Sequence, residues 1–357
     1  MPQNDRIPAP TDINADWLAQ HLGWSVSGVT AKPVGTGQVG ATYRFLLADA
    51  DPDARGQASL PGSLIGKFMS EDPVSRATGI AQLSYVREVK FYQTYGNTKP
   101  LPIPLARYAA IDEASHEFAL IMDDFPGHRP GNQLLPATLE EAKLAMVAAA
   151  SIHAAWWGDA GLDTHIWLNG SHAAAGMNVD ALFEMLWPAF CARYGDQIND
   201  QIRATGQAYL GRINAWISQR AGPRCLTHGD FRPDNMLFHE GDAAHPIVIV
   251  DWQTAGVGNG ATDIAYYLGT ALTPEMRRTH ERALVDLWIN QLVKAGVPQA
   301  DTQSLWDTYR RDALAGFLMG VLASMIVAQT PRGDAMFLAM CARAAAMVDD
   351  HGSVELI

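Results

Sequence analysis

The stretch His228-Gly-Asp-Phe-Arg-Pro-Asp-Asn235, followed by Ile247-Val-Ile-Val-Asp251-Trp252, decides how this chain is read. An H-x-D triplet alone is common, and its plain explanation is a turn whose Asp and Asn cap local backbone. The full string is much rarer, and an Asp closing an apolar strand soon afterwards is a second coincidence. These residue types together suit a hydroxyl, a phosphate and a hard cation. Asp230 offers a carboxylate to orient an acceptor hydroxyl and accept its proton. Asn235 and Asp251 offer the oxygen ligands that Mg²⁺ prefers, with phosphate oxygens and water completing an octahedral shell. Arg232 is the candidate to neutralise charge on a transferring phosphoryl group. His228 is expected to hold the loop by hydrogen bonds.

The protein-kinase catalytic loop, H-R-D with an Asn further on, performs these tasks. His, Asp, a basic residue two after that Asp, Pro and Asn stand here in the same order and spacing. Three further parts lie upstream. Gly35-x-Gly37-x-x-Gly40 is followed by Ala41-Thr-Tyr-Arg-Phe-Leu-Leu, which reads as a strand. A dinucleotide fingerprint must open a helix; strand, glycine loop, strand is the arrangement that covers nucleotide phosphates in kinases. The bland alternative is a glycine-rich hairpin. Lys67 lies in the apolar strand Ser63–Met69 and points either at solvent or at phosphates. Glu88, on the helical stretch Arg76–Tyr95, is the residue to hold its ammonium. The neighbouring Glu71 and Arg87 read as surface charges.

Composition frames these parts. A length of 357 residues suggests two lobes. Hydrophobic residues at 48% and charged residues at 18% exclude general disorder. A net charge of -12 makes nucleic acid an unexpected partner. Cys191, Cys225 and Cys341 form no CxxC and read as reduced thiols of a cytoplasmic protein. The N-terminus lacks the pattern of a secretory signal. Ala313–Pro331 carries no charge and contains Gly316-x-x-x-Gly320, a small-residue packing motif. Its Ala and Gly content, with Ser324, Gln329 and Thr330, favours a buried core helix over a membrane span.

The coarse element order agrees. Asp12 or Asn14 caps a short helix over Ala15–Leu22. Strands are expected over Val26–Val34, Ala41–Ala48, Ser63–Met69 and Phe118–Met122, with a loop over Asp49–Gly62. Leu139–Trp157, Asp180–Tyr194 and Asp200–Gln219 have helical spacing. A β-like island, Cys225–Asp251, precedes more helices from Pro274 onward. The expected fold is therefore α+β and bilobal: residues 1–124 a β-rich N-lobe, residues 125–357 a mainly helical C-lobe with the catalytic loop.

With HGDFRPDN (228–235), IVDWQ (249–253) and Gly260-Ala-Thr-Asp263-Ile-Ala in place, the chain resembles the aminoglycoside phosphotransferase and choline kinase superfamily. Met122-Asp-Asp-Phe-Pro-Gly-His-Arg-Pro-Gly-Asn-Gln133 and Ile152-His-Ala-Ala-Trp-Trp157 are similar to its ecdysteroid-kinase-like branch. The likeness runs from about Gly35 to Leu268. It implies a protein-kinase-like fold and ATP or GTP with Mg²⁺. It also implies adenine bonded by the Asp123 carbonyl and the Phe125 amide, and gives Asp263 the role of anchoring the catalytic loop; a helix N-cap is the alternative for Asp263. Two features depart from protein kinases. Trp252-Gln253 replaces Phe-Gly after the metal Asp, and the spacing from the glycine loop to Lys67 is long.

The acceptor is expected to be a small-molecule hydroxyl, selected by helices that contain Trp156, Trp157, Trp167, Trp187, Trp288 and Trp306. These rings either line a pocket or pack the core. Asp159, Asp163, Asp180 and Glu184 either attract an aminoglycoside or form a solvated surface. Three readings stand: a kinase of a partly apolar alcohol, an antibiotic kinase, and a nucleotide-binding pseudokinase.

Overall fold

The computed structural model describes residues 6–35, 39–48, 60–168, 178–219, 222–242 and 244–357. The chain divides into two compact units, Met1–His128 with Val250–Gln253, and Arg129–Ile249 with Thr254–Ile357.

The first unit is built on an antiparallel sheet. Helix α1 (Ala15–Leu22) is capped by Asn14, whose side chain accepts the Trp17 N–H at 2.9 Å. Strands β1 (Gly28–Pro33), β2 (Gly40–Ala48), β3 (Ser63–Met69), β4 (Ala106–Ile111) and β5 (Phe118–Asp123) form the sheet in the order β1-β2-β3-β5-β4. Alternation sends Phe45, Leu64, Phe68 and Ile121 into a core shared with Trp17 and Leu18 of α1. The expected helical stretch Arg76–Tyr95 is two helices, α2 (Pro73–Ala81) and α3 (Ser84–Phe91), continued by a π-helical turn over Tyr92–Gly96. Leu83 breaks it by adopting a left-handed backbone, φ 55°. Of the expected loop Asp49–Gly62, residues 49–59 lie outside the described residues.

The second unit is mainly helical. Two small antiparallel sheets pair β7 (Cys225–Thr227) with β10 (Gly256–Gly258), and β8 (Met236–Phe238) with both β6 (Arg129–Pro130) and β9 (Ile247–Ile249). Helices α4 (Leu139–Ala155), α5 (Val179–Tyr194), α6 (Asp200–Tyr209), α7 (Ile213–Ser218), α8 (Gly260–Ala271) and α9 (Pro274–Lys294) are followed by α10 (Gln299–Thr302), α11 (Leu305–Arg311), α12 (Leu314–Ile326) and α13 (Pro331–His351). A full capping box, Thr138 with Glu141, starts α4. The single helix expected over Asp200–Gln219 is split into α6 and α7, where Gly211 turns the chain with φ 71°. The uncharged stretch Ala313–Pro331 ends its helix at Ile326, with Leu314, Phe317 and Val321 buried. Among the described residues no helix is long and apolar enough to cross a membrane.

Candidate active site

In the first unit the sheet delivers one cation to two carboxylates. Lys67 lies on β3, opposite Thr42 of β2 and Leu120 of β5. Its ammonium donates to Glu88 Oε1 at 2.5 Å and to Asp251 Oδ1 at 3.1 Å. Burial alone would lower the Lys67 value, but the Asp251 and Glu88 carboxylates outweigh it, so the ammonium is held protonated. Asp251 takes φ 69°, a left-handed backbone that few non-glycine residues adopt. Packing of its neighbours offsets that cost. Trp252 is fully buried and stacks on Phe91 of α3, with ring centres 3.9 Å apart and planes 3° from parallel. Its N–H donates to Glu88 Oε1 at 3.3 Å. Arg87, expected at the surface, is buried instead and donates to the Gln253 carbonyl at 3.0 Å. The reason is that α3 turns this face toward residues 250–253.

The remaining expected positions of this unit are less converged. Gly35 has φ 73° and Gly40 opens β2, while Gly37 lies outside the described residues. The Asp123 side chain pairs with Arg107 at 2.6 Å, and its N–H donates to the Leu105 carbonyl. The Phe125 carbonyl accepts the His128 N–H at 3.0 Å.

The second unit holds the catalytic loop, and Gly229 lets it fold. Its φ is 81°, and a Cβ there would stand 2.4 Å from the Thr254 carbonyl oxygen. The loop backbone is tied to α8: Asp263 Oδ2 accepts the His228 N–H at 2.7 Å, and Oδ1 accepts that of Gly229 at 3.0 Å. The N-cap of α8 is Asn259, not Asp263. Trp288 donates its indole N–H to His153 Nδ1 at 3.1 Å, so Nε2 of that neutral imidazole is the donor facing Asp263 at 3.3 Å. The His228 ring accepts the Asp230 N–H at Nδ1, 3.3 Å away.

Asp230 is surrounded by donors. Arg232 Nε reaches both of its oxygens at 3.0 Å, Asn235 Nδ2 reaches Oδ2 at 2.8 Å, and the Tyr266 hydroxyl reaches Oδ1 at 2.7 Å. Burial pushes this carboxyl up, but Arg232 and the Tyr266 hydrogen bond overcome it and hold it below the usual range. Arg232 is itself shared with Asp234 at 3.0 Å, and Asp234 also accepts the Gln133 N–H and an Arg332 guanidinium. The Asn235 amide nitrogen also donates to the Asp230 carbonyl at 2.9 Å, which turns its amide oxygen away from these partners. Hence Asn235 fits a hard-cation ligand. Among the described residues Asp251 Oδ2 accepts from Gln253 Nε2 at 3.2 Å, and one such bond leaves a carboxylate oxygen with a further lone pair.

Tyr266 and Asp234 were not singled out by the sequence reading. Tyr266 sits in the apolar run of α8 and reads as core; the available signal was its spacing of three residues from Asp263, which puts both on one helix face. Trp187 and Trp288 are core residues, with Trp187 stacked between Phe183 and Phe190. Three of the four acidic candidates are committed locally. Asp159 accepts from Gly161, Asp163 pairs with Arg224, and Asp180 accepts the Ile213 and Asn214 N–H groups.

A small antiparallel-sheet unit with a part-buried Lys–Glu pair, and a helical unit carrying an HGD-x-R-x-D-N loop, define a protein-kinase-like phosphotransferase. Residues 74–290 match the phosphotransferase enzyme family (APH), and the chain belongs to that family. The resemblance to the aminoglycoside phosphotransferase and choline kinase superfamily is thus borne out at family level. Among solved structures, a Plasmodium vivax ethanolamine kinase is similar in fold, at 12% identity and a TM-score of 0.51, covering 88% of this chain and 81% of that one. A macrolide 2'-phosphotransferase from Brachybacterium faecium is 16% identical with a TM-score of 0.46, over 91% and 96% of the two chains. Among curated proteins, acyl-CoA dehydrogenase family member 10 of Mus musculus is 24% identical over 169 residues, 40% of this chain. The chain covers only 16% of that relative's length.

Proposed function

We propose that this phosphotransferase moves the γ-phosphate of ATP or GTP, bound with Mg²⁺, onto a hydroxyl of a small, partly apolar alcohol. The observation that carries this reading is the Asp230–Asn235 pair. Its geometry supports one carboxylate fixed for an acceptor hydroxyl, with an amide oxygen left over for a cation.

In this reading Asp230 orients the acceptor hydroxyl and accepts its proton as the O–P bond forms and the bond to the nucleoside diphosphate breaks. Its low proton affinity suits a loose transition state, in which the hydroxyl proton leaves late and orientation matters more than basicity. Lys67, braced by Glu88, holds the nucleotide phosphates. Gly35, Gly37 and Gly40 cover them, and the Asp123 carbonyl and Phe125 amide hold the adenine. Asn235 and Asp251 would hold Mg²⁺, and the ion would neutralise phosphate charge. Among the described residues no three His, Cys, Asp or Glu side chains cluster as a metal cage. Mg²⁺ bound through nucleotide phosphates requires only one or two carboxylates. Arg232 adds positive charge beside Asp230. His228 and Asp263 support the loop.

A partly apolar acceptor is favoured by the partly buried Leu134 and Met319, which border the buried cluster of Tyr266 with Met336, Phe337 and Met340. The local engagement of Asp159, Asp163 and Asp180 weighs against a polycationic acceptor, which needs free carboxylates. This assignment fits the ecdysteroid-kinase-like branch that the sequence resembles. The test is transfer of labelled γ-phosphate from ATP and GTP, with Mg²⁺, to a panel of apolar alcohols, aminoglycosides and amino alcohols. Label moving to an apolar alcohol in wild type, and not in Asp230→Asn, supports the assignment. Label moving only to aminoglycosides contradicts the acceptor class.

A further inference from the structure

The geometry points to Tyr266 as a positioning residue that fixes the rotation of the Asp230 carboxylate. A carboxylate turns freely about its last torsion, which has broad, two-fold preferences. Arg232 Nε straddles both oxygens at 3.0 Å each, which leaves the angle of the carboxylate plane to be set by the donors bound to the separate oxygens. The two oxygens are distinguished by their other donors, Asn235 on Oδ2 and Tyr266 on Oδ1. Of these, the Tyr266 contact is the shorter, at 2.7 Å, and comes from a helix outside the catalytic loop.

That helix holds the loop twice. Asp263 binds the loop backbone, and Tyr266, three residues later on the same face of α8, binds its carboxylate. The phenol is itself seated by close packing. Its ring is 3% exposed and clusters with Met336, Phe337 and Met340 of α13. On α12, a Cβ at Gly316 would stand 3.3 Å from Tyr266 Cδ2 and 2.5 Å from Thr270 Cγ2. A Cβ at Gly320 would stand 2.7 Å from Cys341 Sγ of α13. The Gly316-x-x-x-Gly320 motif therefore lets α12 close on α8 and α13, and so wedges the Tyr266 ring in place.

This inference rests on Asp230 serving the acceptor hydroxyl as proposed above. The experiment uses the full chain and water as the acceptor, reading inorganic phosphate released from Mg²⁺-ATP and Mg²⁺-GTP by wild type, Tyr266→Phe, and protein with 3-fluorotyrosine placed at 266. Loss of one hydrogen bond to a charged group should lower kcat about ten- to hundredfold in Tyr266→Phe while the nucleotide KM changes by less than about twofold. The fluorinated protein, which keeps the hydroxyl, should recover about half of wild-type kcat or more. A Tyr266→Phe enzyme within about twofold of wild-type kcat overturns the inference, as does a parallel rise in KM alone. The ¹⁹F resonance at 266 is recorded in the same protein with and without Asp230→Asn. If wild type releases no phosphate to water, the ¹⁹F arm decides the Tyr266 contact by itself, and the proposed function is judged separately by label transfer to the alcohol panel. A resonance displaced by Asp230→Asn sustains the contact, and an unmoved one overturns it.

Discussion

The Asp263 carboxylate accepts the backbone N–H of His228 at 2.7 Å, deep in the second unit, where Asp263 is 2% exposed. Burial pushes this carboxyl up. The hydrogen bonds from His153 and from the His228 backbone N–H overcome it and hold the value below the usual range. The unfolded chain therefore takes up this proton first on acidification. Its stabilisation is complete above the ordinary Asp value of about 3.9 and is lost as pH falls through the lower folded value. Asp263→Ala, which also strands two N–H groups, should cost roughly 3 kcal/mol, constant between about pH 5 and 8. Urea unfolding of both proteins across that range, and into acid, checks this. The gap should narrow in acid; a gap that widens there contradicts the argument.

Replacing the carboxylate of Asp230 by an amide of equal size should leave nucleotide binding near wild type. Turnover should fall by about 10²–10⁴. Calorimetric titration with ATP or GTP and a phosphate-release assay separate the two effects. Unchanged turnover removes Asp230 from the chemistry.

Lys67 stands between Glu88 and Asp251, so Lys67→Met leaves two carboxylates facing each other without their cation. The variant should lose about 1–3 kcal/mol of stability and most of its affinity for Mg²⁺-nucleotide. Lys67→Arg should not restore binding, because a planar fork does not replace a compact ammonium. Wild-type affinity in Lys67→Arg would show that the phosphates are held elsewhere.

Gly316→Ala should destabilise the second unit by about 1–3 kcal/mol through overpacking against Thr270. A matched change at Gly296, where φ is 101° and no atom lies within 4 Å of an added Cβ, separates crowding from backbone strain. Thermal melts of the two variants test this. A Gly316→Ala variant that melts with wild type contradicts close packing as the purpose of the motif, whatever the loss at 296.

Where local patterning and tertiary placement agree, the sequence was readable. Strand β3 runs from Ser63 to Met69 as its alternation predicts, and Ala15–Leu22 is the helix its cap announces. The string 228–235 was readable because its residue types are demanded by chemistry, not by packing. What escaped depends on partners distant in the chain. Strand β4, Ala106–Ile111, has too little apolar alternation to be seen without β5 beside it. Leu83 breaks a helix with no glycine or proline to mark the break. Arg87 has the composition of a surface residue, yet residues 250–253 cover it. Tyr266 looks like core until Asp230 is placed 2.7 Å from its hydroxyl.

The central claim, a Mg²⁺-dependent nucleotide site serving phosphoryl transfer, is tested most directly by thermal-shift titration with ATP and GTP, each with and without Mg²⁺, on wild type and Asp251→Ala. The account predicts a melting temperature that rises with at least one nucleotide only when Mg²⁺ is present, by an amount that grows with ligand concentration. Asp251→Ala should lose that rise. Folded wild-type protein that shows no shift with either nucleotide, or an Asp251→Ala variant that shifts as fully as wild type, would contradict it.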